Sequence, residues 1–178
     1  DSKVSRGLGD VYKRQDYPKA IQVLKEYGYC YQKQLATKYP YPWSKHYPRL
    51  IKEGAIAAIE IHDKLLIEEY TQEFNYDSVK SSIHVIDNVA MLSDANMLNL
   101  SILANQINDF RFHYRTISLR NAYDVFLLSK KTAATNAVNS ITTLSHPLHC
   151  FLAACNEVFN SPDSLTYTQT KQTKAYLK

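Results

Sequence analysis

Four side chains that could bind a metal ion fall within ten residues of one another in the sequence: His146, His149, Cys150 and Cys155. Imidazole nitrogen and thiolate sulfur are ligands that Zn²⁺ prefers in proteins. Cys150 and Cys155 are five residues apart, however, so on a helix of 3.6 residues per turn their side chains point about 140° away from each other. Pro147 is typical of a first helical turn, and cysteine is a common small core residue. We therefore predict a structural role for this segment, with no bound metal and no other cofactor.

A second candidate site is the segment 110–120, in which basic and aromatic residues alternate. Arginines on such a surface would neutralise phosphate groups while the aromatic rings stack on bases. The residues concerned are Arg111, Arg115 and Arg120, with Phe112 and Tyr114 between them. The pattern matches no recognised RNA-binding signature, and a solvated face behind a packed aromatic stripe is the more common origin of such alternation. Nucleic-acid association is therefore the second hypothesis for this chain.

Aromatic and proline residues are concentrated between positions 39 and 48. Four aromatic side chains occur within nine residues: Tyr39, Tyr41, Trp43 and Tyr47. Each proline biases the residue before it toward an extended conformation, so we predict a stiff connector with polyproline character. Aromatic side chains of this kind either cover the end of a helical bundle or form the hot spots of protein interfaces. If the protein binds a protein partner or a second copy of itself, we expect these four residues to make the contact.

The sequence offers little support for catalysis. His62 is placed near Glu69 and Glu73 on successive turns of a predicted helix, where acid–base chemistry is conceivable, but a core histidine bonded to a neighbour is the more common arrangement. Beyond residue 15 the chain has no glycine-rich phosphate loop, no Gly-x-Ser-x-Gly elbow, no His-Glu-x-x-His motif and no Glu-x-x-His pair. We therefore predict no catalytic residues and a non-catalytic protein that acts through protein–protein contacts. A metal-dependent enzyme ranks third, behind nucleic-acid association.

The first fifteen residues are set apart from the rest of the sequence. Asp1 to Gln15, and Arg6 to Gln15 in particular, resemble the translated sequencing-adapter read-through found at the ends of reading frames assembled from environmental DNA. We expect residues 1–15 to be disordered and to lie outside the fold. Their four basic and two acidic residues supply +2 of the formal net charge of +4, which leaves +2 for residues 16–178. The electrostatic support for nucleic-acid binding weakens accordingly.

Length and composition are those of one soluble globular domain. The chain has 178 residues, of which 45% are hydrophobic and 21% charged, and a domain of this length can fold without disulfides or metals. The longest apolar stretch, residues 54–61, is far shorter than the roughly 20 residues that span a membrane. Three cysteines are too few, and odd in number, for a disulfide framework, so we expect a reducing, cytoplasmic environment.

The elements that must position these residues are predicted to be helices. Only Gly28 and Gly54 remain after residue 15, and no Asn-Gly or Asp-Gly dipeptide is present to form a tight hairpin turn. Apolar residues recur instead at intervals of three or four. The spacing predicts an all-α fold, an irregular bundle of four to six helices within residues 16–160, followed by a polar, flexible tail over residues 161–178. The predicted helices cover residues 16–38, 47–74, 78–90, 93–110, 121–144 and 148–159. Segment 110–115 also fits a strand, so an α+β fold with a short strand near 110–119 stays open.

Overall fold

A computed structural model describes residues 17–31, 48–62, 64–87, 89–160 and 163–178. Most of the described elements are helices, and two small antiparallel sheets accompany them. The prediction of a mainly helical protein is therefore confirmed, whereas the prediction of an all-α fold is wrong. The chain divides into two compact units, Asp1–Glu68 and Glu69–Lys178. None of the described helices is both long enough and apolar enough to cross a membrane.

The described part of the first unit starts with helix α1, Tyr17–Glu26, whose end is determined by a glycine. Gly28 adopts the left-handed conformation (φ +86°), which glycine enters without steric cost. The amide of Tyr29 bonds the carbonyl oxygen of Leu24 at 3.0 Å, as in the Schellman ending of a helix. The predicted continuation of this helix to residue 38 is therefore wrong over residues 27–31.

A small sheet completes the described part of the first unit. Strand β1, Cys30–Tyr31, pairs antiparallel with strand β2, Leu50–Ile51, and Leu50 also bridges to Ile59. Ile21, Leu50 and Ile61 form the buried core. The predicted helix over residues 47–74 is wrong over its described residues, since Gly54 turns the chain with φ +76° and the β-branched isoleucines around it suit extended backbone. A short 3₁₀ helix, Glu68–Tyr70, follows.

A β-hairpin replaces most of the helix predicted over residues 78–90. Helix α2, Tyr76–Val79, starts from a capping box at Asn75 and continues into a 3₁₀ turn, Lys80–Ser82. Strand β3, His84–Ile86, then pairs antiparallel with strand β4, Val89–Met91. Asp87 adopts a left-handed conformation with φ +49° after β3, and aspartate is one of the few residues besides glycine that does so. This hairpin was not predicted because neither Asn-Gly nor Asp-Gly occurs in the sequence there.

Helices carry the core of the second unit. They are α3 (Asp94–Leu103), a π-helical turn (Ala104–Asn108), α4 (Arg111–Tyr114), α5 (Leu119–Ser129), α6 (Ala134–Asn139) and α7 (Ser145–Phe159). Helix α3 begins at the predicted Ser93 cap, whose hydroxyl accepts a hydrogen bond from the amide of Asn96. It contacts α5, α6 and α7, and its side chains Leu98, Ile102 and Leu103 are fully buried. Helix α3 is therefore the centre of this unit.

Two predicted helices of this unit are interrupted. The helix predicted to run from 93 to 110 changes to a π-helical turn after Leu103, and the amide of Asp109 bonds the carbonyl oxygen of Ala104 at 3.1 Å. The helix predicted over residues 121–144 is two helices, α5 and α6. Residues 110–119 hold the single turn α4 between the left-handed residues Phe110 and Arg115 and contain no strand. The α+β alternative is therefore wrong at that place.

The C-terminal segment differs from the flexible tail that composition predicted. A 3₁₀ turn, Asp163–Leu165, precedes helix α8, Lys171–Tyr176, which starts from a capping box formed by Thr170 and Thr173. Tyr176 is buried, and its hydroxyl lies 2.7 Å from the carbonyl oxygen of Thr116 and 3.0 Å from Oε1 of Gln106. The single hydroxyl proton of this buried tyrosine lies between two acceptors, and it thus ties this helix to the π-helical turn and the segment after α4.

Helix α7 begins on a carboxylate supplied from a distant part of the chain. Leu144 occupies the N-cap position, four residues before the predicted start of the helix, and makes no side-chain cap. Glu73 Oε1 accepts hydrogen bonds from the amides of Thr142 (2.5 Å) and Thr143 (3.0 Å), while Oε2 accepts from the amide of Leu144 (2.9 Å). The hydroxyls of both threonines donate to the same carboxylate. Burial opposes ionisation of Glu73, but these bonds outweigh it and lower its pKa to about 2.

The Glu73→Gln substitution tests this helix start. It removes the charge that accepts these bonds, so we expect a loss of about 1 to 3 kcal/mol in unfolding free energy at neutral pH. Because the folded-state pKa is depressed, the stabilisation is present above the ordinary carboxyl pKa of 4.5 and is lost as the pH falls toward 2. Urea denaturation at pH 7 and pH 3 should therefore show a smaller difference between wild type and variant in acid. Glu69→Gln, at an exposed carboxylate, is the control; an equal loss in both variants would contradict the assignment.

Candidate functional site

The four predicted metal-ligand residues all lie on helix α7. Three of them are held by burial or by a hydrogen bond within the chain. Cys150 and Cys155 are buried, and burial raises the pKa of their thiols to about 11 and about 12. Nδ1 of His149 accepts a hydrogen bond from the amide of Thr168 at 3.3 Å, while burial and the neighbouring His146 lower the pKa of His149. In the described residues no group of three or more His, Cys, Asp or Glu side chains is arranged to hold a metal ion.

The three arginines of the nucleic-acid hypothesis have different surroundings. Nη1 of Arg111 lies 3.5 Å from the carbonyl oxygen of Ile117, and its Nε is buried without a hydrogen-bond partner. Arg115 is exposed and donates to the carbonyl oxygen of Ala175 at 3.0 Å, next to the buried Tyr176. Arg120 is exposed on helix α5. Two of the three guanidinium groups thus contact backbone carbonyls of their own chain, and nucleic-acid binding stays an untested prediction.

The other predicted residues are separated or lie outside the described part of the chain. Tyr39, Tyr41, Trp43 and Tyr47 all fall in residues 32–47, which are not described, so their role in a contact stays a prediction. His62 does not share a helix with Glu69 and Glu73, because residues 48–62 form turns, bends and short extended pieces and no helix. His62 Nε2 lies 3.9 Å from Glu60, which also accepts a hydrogen bond from Arg49 Nη2 at 2.6 Å.

Helix α5 is buried on one face and carries exposed apolar side chains on another. Its buried side is formed by Ala122, Val125 and Ser129. Leu119, Tyr123 and Leu127 follow one another at intervals of four residues on the other side, and 60%, 58% and 41% of their surfaces are exposed. Residues four apart are neighbours on a helix surface, so these three side chains form one continuous apolar row, which we call the α5 ridge.

The α5 ridge has a charged border and an aromatic border. Arg120 and Asp124 lie three residues before Tyr123 and Leu127, so they form a row beside the ridge. Both are exposed, and neither forms an ion pair with another described residue. On the opposite border the ring of Phe126 stacks 6.5 Å from that of Tyr123, and Lys130 Nζ lies 4.2 Å from the Phe126 centroid. Apolar surface bordered by charge is typical of a protein interface.

The hairpin β3–β4 also exposes apolar side chains, among them Val85, Ile86 and Val89. Its strands have three residues each, and an isolated two-stranded hairpin is only marginally stable. The α5 ridge stands on an eleven-residue helix whose other face is buried, so its geometry is the better defined. Its spacing was readable in the sequence, but a predicted helix that starts at residue 121 omits Leu119. We therefore take the α5 ridge as the candidate site.

Thiol labelling tests the placement of the cysteines. Cys30 is exposed, whereas Cys150 and Cys155 are buried with raised pKa values, and the thiolate is the species that reacts. We expect a maleimide at neutral pH to modify one thiol rapidly in the folded protein and the other two only in denaturant. In the Cys30→Ser variant the rapid reaction should disappear. Rapid modification of two or more thiols in the folded wild type would show that helix α7 is not packed as described.

No protein-family model, no curated protein and no solved structure matches this chain. Function therefore has to be inferred from the chain's own geometry. The feature of that geometry with the clearest chemical character is the α5 ridge, with an apolar centre and two charges of opposite sign on one border.

Proposed function

We propose that this is a non-catalytic protein that acts through protein–protein contacts and self-associates through the α5 ridge. The observation that carries the proposal is the exposure of Leu119, Tyr123 and Leu127 in one row on a helix that is buried on another face. Burying an exposed leucine or aromatic side chain is favourable, whereas the single exposed apolar residues found on most surfaces form no such row. The three free cysteines fit a reducing, cytoplasmic location, which is part of this proposal.

The size of the ridge limits the strength of the association. Each ridge side chain already has part of its surface covered, so it gains roughly 1 kcal/mol on complete burial, and two copies contribute six such side chains. The loss of translational and rotational freedom opposes this gain. Because the free energy that remains must be smaller than this gross gain of about 6 kcal/mol, we expect a dissociation constant weaker than about 40 µM. We therefore expect a concentration-dependent equilibrium and not a permanent complex.

Tyr123→Lys tests the proposal. The substitution places a charge in the middle of the ridge on each copy, and we expect self-association to weaken at least about tenfold. The measurement is sedimentation velocity at protein concentrations from about 1 µM to about 300 µM, which extend from well below to above the strongest dissociation constant expected. Val158→Lys is the matched control, because Val158 is an exposed apolar residue on helix α7, away from the ridge. Both sites are exposed helix positions, so neither variant should lose its helical circular dichroism.

Two results would refute the proposal. A wild-type protein that stays monomeric throughout this concentration range lacks the self-association that the ridge is proposed to provide. Equal weakening in the Tyr123→Lys and Val158→Lys variants would mean that charge in general, and not the ridge, controls the association.

A further inference from the structure

The charges of the second unit are unevenly placed along its sequence. Between Glu69 and Lys178 nine lysines and arginines balance nine aspartates and glutamates, so the unit is formally neutral. Five of those nine basic residues nevertheless lie in residues 110–120 and 164–177, and neither segment contains an acidic residue. More than forty residues separate the two segments in the chain, so only the fold can combine their charges.

The fold brings these two basic segments into contact. Nη1 of Arg115 donates a hydrogen bond to the carbonyl oxygen of Ala175 at 3.0 Å. The hydroxyl of Tyr176 lies 2.7 Å from the carbonyl oxygen of Thr116. The rings of Phe112 and Tyr176 stack with their centroids 6.1 Å apart. Helices α4 and α8 therefore lie side by side, and their basic residues belong to one surface.

Three cations of this surface are exposed to solvent. Thr173 and Tyr176 are the buried residues of α8. Since each residue advances a helix by about 100°, Lys171 and Lys174 point away from that buried side. Both lysines and Arg115 are exposed, and none of them forms an ion pair with another described residue. A guanidinium group has five N–H donors, so the single bond of Arg115 to the backbone of α8 leaves donors for a ligand.

Two exposed aromatic rings accompany these cations. Helix α4 is a single turn between Phe110 and Arg115, and both residues have left-handed backbone, with φ +56° and +53°. This conformation is costly for residues other than glycine and persists where the surrounding structure holds it. In this turn 56% of Phe110 and 69% of Tyr114 are exposed. We call these two rings, together with Arg115, Lys171 and Lys174, the α4–α8 face.

Exposed cations beside exposed rings match the chemistry of single-stranded nucleic acid. Lysine and arginine neutralise its phosphates, while its unpaired bases stack on aromatic side chains. A duplex keeps the faces of its bases covered by one another, and an acidic protein needs the cations alone. We propose that the α4–α8 face binds single-stranded nucleic acid, with the phosphates at its three cations and the bases on its two rings. The α5 ridge is not part of this face, so the proposal goes beyond self-association and does not depend on it.

The α4–α8 face differs from the set of residues that the sequence suggested for nucleic acid. Arg111 is half-buried, and its Nη1 lies 3.5 Å from the carbonyl oxygen of Ile117, so its side chain supports the turn. Lys171 and Lys174 were assigned to a flexible tail. They join the face only because α8 is helical and packs beside α4.

The salt dependence of binding tests the cations. The measurement is the fluorescence anisotropy of a labelled oligothymidylate of about 15 nucleotides, titrated with the full chain at salt concentrations from about 50 mM to about 200 mM. Each phosphate neutralised on a single strand contributes about 0.7 to the slope of log K against log salt. The variant Lys171→Gln/Lys174→Gln should therefore lower the slope by about 1.4. Lys130→Gln/Lys131→Gln removes the same charge just beyond α5 and should keep the wild-type slope.

The substitution Tyr114→Ser tests the rings in the same titration. It removes one stacking surface and no charge, so binding should weaken at least about fivefold while the salt slope stays that of wild type. Tyr27→Ser is the matched control, because Tyr27 is an equally exposed tyrosine outside the second unit, with 68% of its surface accessible. This control should bind like wild type. Circular dichroism of every variant checks that the helices remain.

Three outcomes overturn the proposal. The first is a wild-type chain that does not bind the oligonucleotide at about 50 mM salt. The second is an equal loss of slope in the two lysine variants, which would make net charge the cause. The third is competition by polyglutamate as effective as that by unlabelled oligothymidylate, together with unchanged binding in Tyr114→Ser, which would identify an acidic protein as the partner. None of these variants alters the α5 ridge, so self-association is judged separately by Tyr123→Lys.

Discussion

The start of helix α7 is the interaction on which the second unit depends. The first amides of a helix have no partners within it, and leaving them unbonded beside a buried core is costly. Leu144 offers no side-chain acceptor, but the carboxylate of Glu73 accepts a hydrogen bond from its N-cap amide and from the two amides before it, and so places a negative charge at the positive end of the helix dipole. Because α7 contacts α3, α6 and α8, the position of this one carboxylate is linked to the packing of most of the unit.

Local signals in the sequence predicted elements that form through neighbouring residues. The Ser93 cap and the helical character of α3 and α7 are of this kind, since a cap and its first turn lie within four residues of each other. The hairpin β3–β4 and the sheet around Leu50 were missed because isoleucine and valine at helical spacing also suit extended strands. The Glu73 contact and the Tyr176 contacts connect residues about seventy positions apart, and no periodic pattern encodes such pairs. In the candidate site, the four-residue spacing of Tyr123 and Leu127 was visible in the sequence. That both side chains are exposed could be learned only from the fold.

Helix α5 shows how one element can serve both stability and recognition. Val125 is completely buried while Tyr123, two residues earlier, is largely exposed, because the two positions lie on different sides of the helix. The buried side fixes the helix against α3, so the exposed side has a defined shape before any partner arrives. Little conformational entropy is then lost on association. The arginines near α4 differ from the exposed ridge residues. The side chains of Arg111 and Arg115 contact backbone carbonyls of the same chain, so they contribute to contacts within the fold.

Helix α8 should be the first part of the second unit to detach during native fluctuations. Besides its packing against α7, its hydrogen bonds from Tyr176 to Thr116 and Gln106 close loops of sixty to seventy residues. Contacts between such distant residues form late in folding, since the entropy of loop closure must be lost before they contribute. The helix has six residues and buries two of them, Thr173 and Tyr176. Its amide hydrogens should therefore exchange with solvent through a local opening of low free energy, while those of α3 and α7 exchange only when the whole unit unfolds.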